Sequence, residues 1–431
     1  MKINRRRFLK NAALASATTA AFPYFYTQQF AKADESDEIK VGILHSLSGT
    51  IAIIERSLHN AELMAIEEIN AAGGVMGGKK LVPVVEDPQS VVRVFRQKAK
   101  KLLLQDKVVA VLGCYTSASR QSVLPEFENN NGILLYPTLY EAQECSYNCF
   151  YTGAVPNQQL DDFAPWVIDK FGPRHYLIGA NYIYPKETNR EWKALLDNFG
   201  GETVAEEYAP LGHTEFATNI NKIASLQPDV VFSTLVGDQI VAFYKQFKQF
   251  GITAEDIPIC TPITTEQEIK GMGPEYALGH YTSFNYFQSV DSPENAEFVA
   301  RYKATYGEDE VTNAVMEAAY FQTYFLAQAL DQTGSTDADA LITEGLPGQE
   351  FQAPQGKVKI DEKNHHTYLW ARIGQAREDG QFDIVWKSQD WIRPDPWVDL
   401  LYPDKDCDFT DQRVIDRIKS GDRDRSGTID I

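Results

Sequence analysis

Between residue 39 and about residue 290 the chain alternates short apolar runs of strand character with amphipathic runs of helical period, and it does so in two successive sets. In the first set IKVGILHSL, KLVPVVED, VVAVLGC and GILLYPT read as strands. AELMAIEEINAAGG, which stops at glycines, and VVRVFRQKAKKLLLQ read as helices. The second set starts near residue 156. It reads HYLIGANY, ETVAEEYAPL, DVVFSTLVG and IPICTP as strands, with TNREWKALLDNFG, FATNINKIASLQP and QIVAFYKQFKQFG as the intervening helices. Such alternation builds parallel sheets covered by helices on both faces. Two sets predict an α/β protein of two lobes, each a doubly wound parallel sheet. The length of 431 residues exceeds one ordinary core, and an apolar fraction of 43% can fill two.

The pattern then changes. AEFVARYKATYG and AVMEAAYFQTYFLAQALDQTG predict long helices, and GKVKIDEKNHHTYLWARI with GQFDIVWKS predicts antiparallel strands. We assign residues 38–155 and 289–345 to lobe 1 and residues 156–288 and 346–390 to lobe 2, with the crossovers as hinge strands. Residues 391–431 are rich in Asp, Pro and Arg and form an extension.

A net charge of −19 argues against nucleic acid and anionic membrane surfaces as partners. The first 33 residues read as an export signal. Arg5-Arg6 precedes Phe8-Leu9-Lys10 in the twin-arginine manner, a short apolar stretch follows, and AKA ending at Ala33 offers a cleavage site. The mature chain is expected in the periplasm. Of five cysteines, Cys145 and Cys149 are close enough in sequence to bridge in an oxidising compartment.

GGVMGGKK (73–80) nearly spells a phosphate loop, but Lys80 replaces the final Ser or Thr and the context runs from helix to strand, so it reads as a turn. Cys114 as a nucleophile would need a positioned base, and none of the seven histidines carries a recognisable signature. A buried packing cysteine is the commoner case.

The strand ends are more informative, because open α/β sheets bind ligands beyond the carboxyl ends of their strands. The first lobe offers Ser46, Ser48 and Gly49, then Tyr115, Thr116 and Ser117, then Tyr136, Pro137, Thr138 and Tyr140. The second offers Asn181, Tyr182 and Tyr184, then Thr234 and Val236, then Thr264, Thr265 and Glu266. Any one Ser or Thr can be a helix cap. A tyrosine-rich, charge-poor set drawn from two lobes suits a small neutral polar solute, with Arg120 and Glu266 the nearby charges.

GILHSLSGT, NAAGGVMGGKKL, GCYTSASR, LLYPTLYEAQE, ANYIYPKE, DVVFSTLVGD and TTEQE resemble, in order over roughly residues 38–390, the type I periplasmic binding proteins, and most closely their amide and urea branch. The resemblance implies a two-lobed fold with the ligand in the inter-lobe cleft. It implies no catalysis, no required cofactor, and membrane permease subunits of an ABC importer as partners of a monomer. It implies that Tyr115 to Ser117, Tyr136 to Thr138, Tyr182, Tyr184, Thr234, Val236 and Thr265 surround urea or a short amide. Branched-chain amino-acid binding on the same fold is the alternative. An amidase using Cys114 is the rival from another class.

DRDRSGTIDI (422–431) follows the first ten positions of an EF-hand loop. Asp422, Asp424, Ser426, Thr428 and Asp430 stand at ligand positions, and Gly427 stands at the sharp turn. The spacing points to calcium, with the bidentate glutamate of position twelve absent.

Overall fold

The computed structural model describes residues 37–422 and 424–431; the export-signal residues lie outside them. None of the described helices is long and apolar enough to cross a membrane.

Lobe 1 is a parallel five-stranded sheet ordered β2-β1-β3-β4-β5. Its strands are β1 (Glu38–Leu44), β2 (Lys80–Glu86), β3 (Val111–Gly113), β4 (Leu134–Tyr136) and β5 (Cys149–Tyr151). Helices α1 (Ala52–Ala71), α2 (Val92–Lys101) and α3 (Ser117–Asn129) make its right-handed crossovers. The central strands are buried on both faces, so Val41, Ile43, Leu112 and Leu135 are solvent-free, as the near-continuous apolar runs require.

Lobe 2 repeats the pattern with β6 (Arg174–Ala180), β7 (Glu202–Ala209), β8 (Val230–Thr234), β9 (Ile259–Thr261) and β10 (Tyr281–Phe284). Its helices are α4 (Phe163–Phe171), α5 (Ile183–Phe199), α6 (Ala217–Leu226), α7 (Asp238–Gln249) and α8 (Glu266–Met272). Its parallel core runs β7-β6-β8-β9-β10. In both lobes the order reverses next to the first strand. That places one crevice between the ends of β1 and β3 and a second between the ends of β6 and β8.

After β10 the chain returns to lobe 1. Helix α9 (Pro293–Tyr306) and helix α10 (Ala314–Thr333) follow, and α10 packs along α1, with Gln322 Nε2 donating to Glu62 Oε1 at 2.9 Å. The stretch assigned from sequence to lobe 2 at residues 346–390 divides. Strands β11 (Glu350–Ala353), β12 (Gly356–Ile360) and β13 (Thr367–Tyr368) form their own antiparallel sheet, and a parallel bridge from Tyr151 to His366 joins this region to the β5 edge of lobe 1. Only β14 (Arg372–Ala376) and β15 (Phe382–Lys387) extend the lobe 2 sheet, β14 running antiparallel to β10. The split has a simple cause. Leu369, Trp370 and Ala371 between β13 and β14 are a crossover, and local periodicity carries no mark of which sheet a strand will join.

The extension is a folded cap. Strands β16 (Lys405–Cys407) and β17 (Thr428–Asp430) pair antiparallel around helix α11 (Gln412–Lys419), and Trp397, Phe409 and Val414 form a small core with Cys145 and Cys407. The expected Cys145–Cys149 bridge is corrected here. Cys145 is bonded to Cys407, their Cα atoms 6.1 Å apart, and Cys149 is a buried free thiol. Cys149 lies within β5, which turns its side chain into the lobe 1 core, away from Cys145.

The EF-hand-like tail shows turn bonds from Asp424 N to Asp422 Oδ1 and from Ser426 N to Asp424 Oδ1, each 3.0 Å. Arg417 enters this loop, donating to the Ser426 carbonyl and lying 3.3 Å from the Asp424 carboxylate. Thr428 and Asp430 are spent on β17, opposite Cys407 and Lys405. Among the described residues no group of three metal-ligating side chains converges.

Candidate ligand-binding cleft

The crevice of lobe 1 is set by a backbone turn. Gly113 ends β3 with φ of +159°, and a Cβ there would stand 2.5 Å from the Leu44 carbonyl oxygen. Cys114 follows in the left-handed region at φ of +66°, its amide held by Leu44 O at 2.9 Å. This turn throws Tyr115 outward and starts α3, capped by Thr116, whose hydroxyl accepts from Ser119 N at 3.1 Å. The first amides of α3, at Ser117 and Ala118, stand where a helix offers no intrahelical acceptor, a natural place for a carbonyl oxygen.

The Ser117 hydroxyl donates to Glu141, which is 2% exposed. Arg120 is solvent-free. It binds Glu144 at 2.7 Å and Glu141 at 3.5 Å, and its guanidinium carbon lies 4.1 Å from the Tyr140 ring centre. Its Nη1 has no protein partner. Burial pushes the Glu141 carboxyl up, while Arg120 and Ser117 pull it back.

Lobe 2 brings Tyr182 and Tyr184 to the start of α5, their rings 6.3 Å apart, and leaves the Tyr184 hydroxyl buried and unpartnered. At α8 the Thr265 hydroxyl caps the helix, and Glu268 closes the box by accepting from Thr265 N at 2.9 Å. Glu268 Oε1 is buried without a partner, and burial raises its carboxyl to about 7. After burial itself, the Glu268 charge is what most raises the Tyr115 phenol, and the Glu141 charge is what most raises Tyr184. A carboxyl of each lobe therefore acts on the tyrosine cluster through its charge.

The lobes are closed on one another. A Cβ on Gly237 of lobe 2 would meet the Thr50 carbonyl oxygen at 2.7 Å, and one on Gly271 would meet Ile53 Cδ1 at 2.9 Å. On the other side Gln143 Nε2 donates to Glu187 Oε2 at 3.1 Å.

The residues expected from sequence divide into two groups. Tyr115, Ser117, Tyr182 and Tyr184 gather at the cleft. Tyr136, Thr138 and Thr234 turn their hydroxyls onto the protein: to Tyr115 O at 2.6 Å, Cys114 O at 3.4 Å and Ile178 O at 3.4 Å, the last with Asn189 Oδ1 at 3.0 Å. Ser48 donates to Asp87 at 2.9 Å, while Pro137 and Val236 are buried walls. Glu266 is likewise engaged by the protein. Its Oε1 takes the Gln288 amide at 2.8 Å, and burial raises the carboxyl to about 8. The register separates it from Glu268. Helix position three, not position one, reaches back across the cap. Glu141 had a signal too, in the YEAQE that follows Tyr136-Pro137-Thr138, but nothing in the sequence tells which of its two glutamates pairs with Arg120. Cys114 is solvent-free, and burial drives its thiol far above the usual range. It is inert as a nucleophile.

Two doubly wound lobes closed over a cleft of hydroxyls and carboxyls have the architecture of a solute-binding protein. The profile of the periplasmic binding protein domain matches residues 39–403, and the chain belongs to that family. A Leu/Ile/Val-binding protein homolog 6 from Brucella suis biovar 1 is 24% identical over 361 residues, covering 82% of this chain and 91% of that protein. A solute-binding protein of an ABC transporter from Rhodopseudomonas palustris BisB5, solved with 3,4-dihydroxybenzoic acid, superposes with a TM-score of 0.74 at 21% identity, covering 83% of this chain and 99% of that one. A limonene hydroxylase from Geobacillus stearothermophilus is 43% identical over 125 residues, 29% of this chain; the chain spans about a quarter (23%) of that protein's length.

Proposed function

We propose that the protein is exported to the periplasm by its twin-arginine signal, binds urea, and delivers it to the permease of an ABC importer. What supports urea is a buried carboxyl on each lobe, Glu141 and Glu268, the latter with its Oε1 lacking a protein partner, both close enough to the tyrosine cluster for their charges to raise its phenols. Urea carries N–H donors on two sides and one carbonyl oxygen. The carboxyls and tyrosine hydroxyls can accept the donors from opposite sides, and the amides at the start of α3 can take the carbonyl. Acetamide would set a methyl group against one of the carboxyls, leaving it unpaired. A free amino acid would need clamps for both its ammonium and its carboxylate, and the nearby cation, Arg120, is already paired with Glu141 and Glu144. Binding requires no cofactor. Urea docks on one lobe, the hinge strands bend, and the closed form is what the permease reads.

Calorimetry of the mature protein with urea, acetamide and leucine tests this. Urea is expected to give saturable heat, acetamide a weaker signal and leucine none. Heat with leucine and silence with urea would overturn the assignment.

A further inference from the structure

Tyr402 belongs to the C-terminal extension, outside both large sheets. Its hydroxyl donates to Gln143 Oε1 at 2.7 Å and accepts from Arg190 Nη2. Gln143 sits on the lobe 1 loop that carries Glu141. Arg190 sits on α5, the lobe 2 helix that opens with Tyr182 and Tyr184. Arg190 also reaches Gln143 Oε1 at 3.2 Å, and its guanidinium carbon lies 5.2 Å from the Tyr402 ring centre. One phenol thus touches both lobes beside the cleft.

The support behind that phenol is rigid and belongs to lobe 1. Ala142 and Gln143 take left-handed φ values of +60° and +62°, a conformation that non-glycine residues hold only when their surroundings impose it. Gln143 N donates to Pro396 O at 2.7 Å, Gly427 N donates to Cys145 O at 3.0 Å, and Cys145 is covalently tied to Cys407. Tyr402 itself stands edge-on to Trp397, ring centres 5.3 Å apart, with the Lys405 ammonium 4.5 Å from the Trp397 ring centre. The extension and the loop therefore move as one body with lobe 1. Opening the cleft leaves the Tyr402–Gln143 bond intact and breaks the bonds that Tyr402 and Gln143 make to α5.

We propose that Tyr402 is a positioning residue of the cleft, a latch by which the disulfide-anchored extension fastens the Glu141–Cys145 loop of lobe 1 to α5 of lobe 2 and holds the lobes shut over bound solute. Contacts made only in the closed form shift the open–closed equilibrium and slow release more than capture. The proposal rests on the hinge-closure reading above and not on which solute is bound.

The test uses the full mature chain with dyes on cysteines introduced at Leu104 of lobe 1 and Phe199 of lobe 2, both exposed, while the free cysteines are buried. Tyr402→Phe removes only the hydroxyl. The open fraction measured by energy transfer is expected to rise in the ligand-free protein. Urea release is expected to speed up about three- to tenfold, with capture within about twofold. Arg190→Met should do the same, and the double variant should add little. An unchanged open fraction and release rate in Tyr402→Phe would overturn the latch, as would a lowered melting temperature with an unchanged open fraction. If the wild-type protein ignores urea, the ligand assignment fails, yet the ligand-free open fraction still decides for or against the latch.

Discussion

Ser117 donates its hydroxyl to the carboxylate of Glu141, and both side chains are almost free of solvent at the point where the two lobes meet. The hydroxyl orients the carboxylate, and the guanidinium of Arg120 balances its charge from behind. A carboxylate held in this way is a fixed acceptor, not a mobile one, so a solute that used it would leave little ordering to be done at binding.

At pH 8, where the Glu268 carboxyl that burial raises to about 7 is mostly ionised, Glu141→Gln and Glu268→Gln should each weaken urea binding by about tenfold, the scale of a hydrogen bond to a charged group. Acetamide, which has donors on one side, should lose substantially in only one of the two variants. Calorimetry with both ligands on both variants checks this.

Arg120→Met should destabilise the fold by about 3–5 kcal/mol, because it strands buried carboxyls. Arg120 is solvent-free and its partner Glu141 is almost fully buried, so water has little access to compensate there, while Glu144 keeps some exposure. The companion Arg120→Met/Glu144→Met chain should recover part of the loss. Denaturant titration of the three proteins measures the difference.

Burial raises the Glu266 carboxyl from 4.5 to about 8, while the neighbouring Glu268 charge pushes the same way. The folded state then binds more protons than the unfolded chain between those values. The stabilisation is complete below pH 4.5 and is lost as pH rises through about 8. Glu266→Gln keeps an acceptor for Gln288 N and removes the titration. The slope of stability against pH between 5 and 8 should flatten by up to one proton, about 1.4 kcal/mol per pH unit.

Peptide mapping without reduction should recover Cys145 joined to Cys407, with Cys149 as a free thiol. The bridge closes a loop across a sequence separation of 262 residues. Cys407→Ser should lower stability by about 2–4 kcal/mol. A Cys145–Cys149 peptide would contradict the fold of the extension.

Much of this was legible in sequence. The strand–helix alternation is a local pattern, and parallel strands buried on both faces leave unbroken apolar runs such as VVAVL and DVVF. Strand ends point the same way in every open α/β sheet, so Tyr115, Ser117, Tyr182 and Tyr184 could be gathered without coordinates. What failed were partner choices over long range. Cys145 seemed paired with its neighbour because nothing local reveals that a strand 262 residues later covers it. Glu266 was expected at the cleft because its neighbours in sequence are, but its Oε1 takes the Gln288 amide, and it is Glu268 that reaches back across the cap.

The sequence by itself determined the two-lobed class and the hydroxyl-rich chemistry of the strand ends, since each depends on residue type and near-neighbour spacing. Tertiary structure alone decided which carboxyls are buried beside the tyrosine cluster, which hydroxyls are spent on carbonyls of the scaffold, and that the charged tail folds back to join the lobes through Tyr402. Those outcomes depend on the direction of side chains and on contacts between residues hundreds of positions apart, and a one-dimensional pattern carries neither.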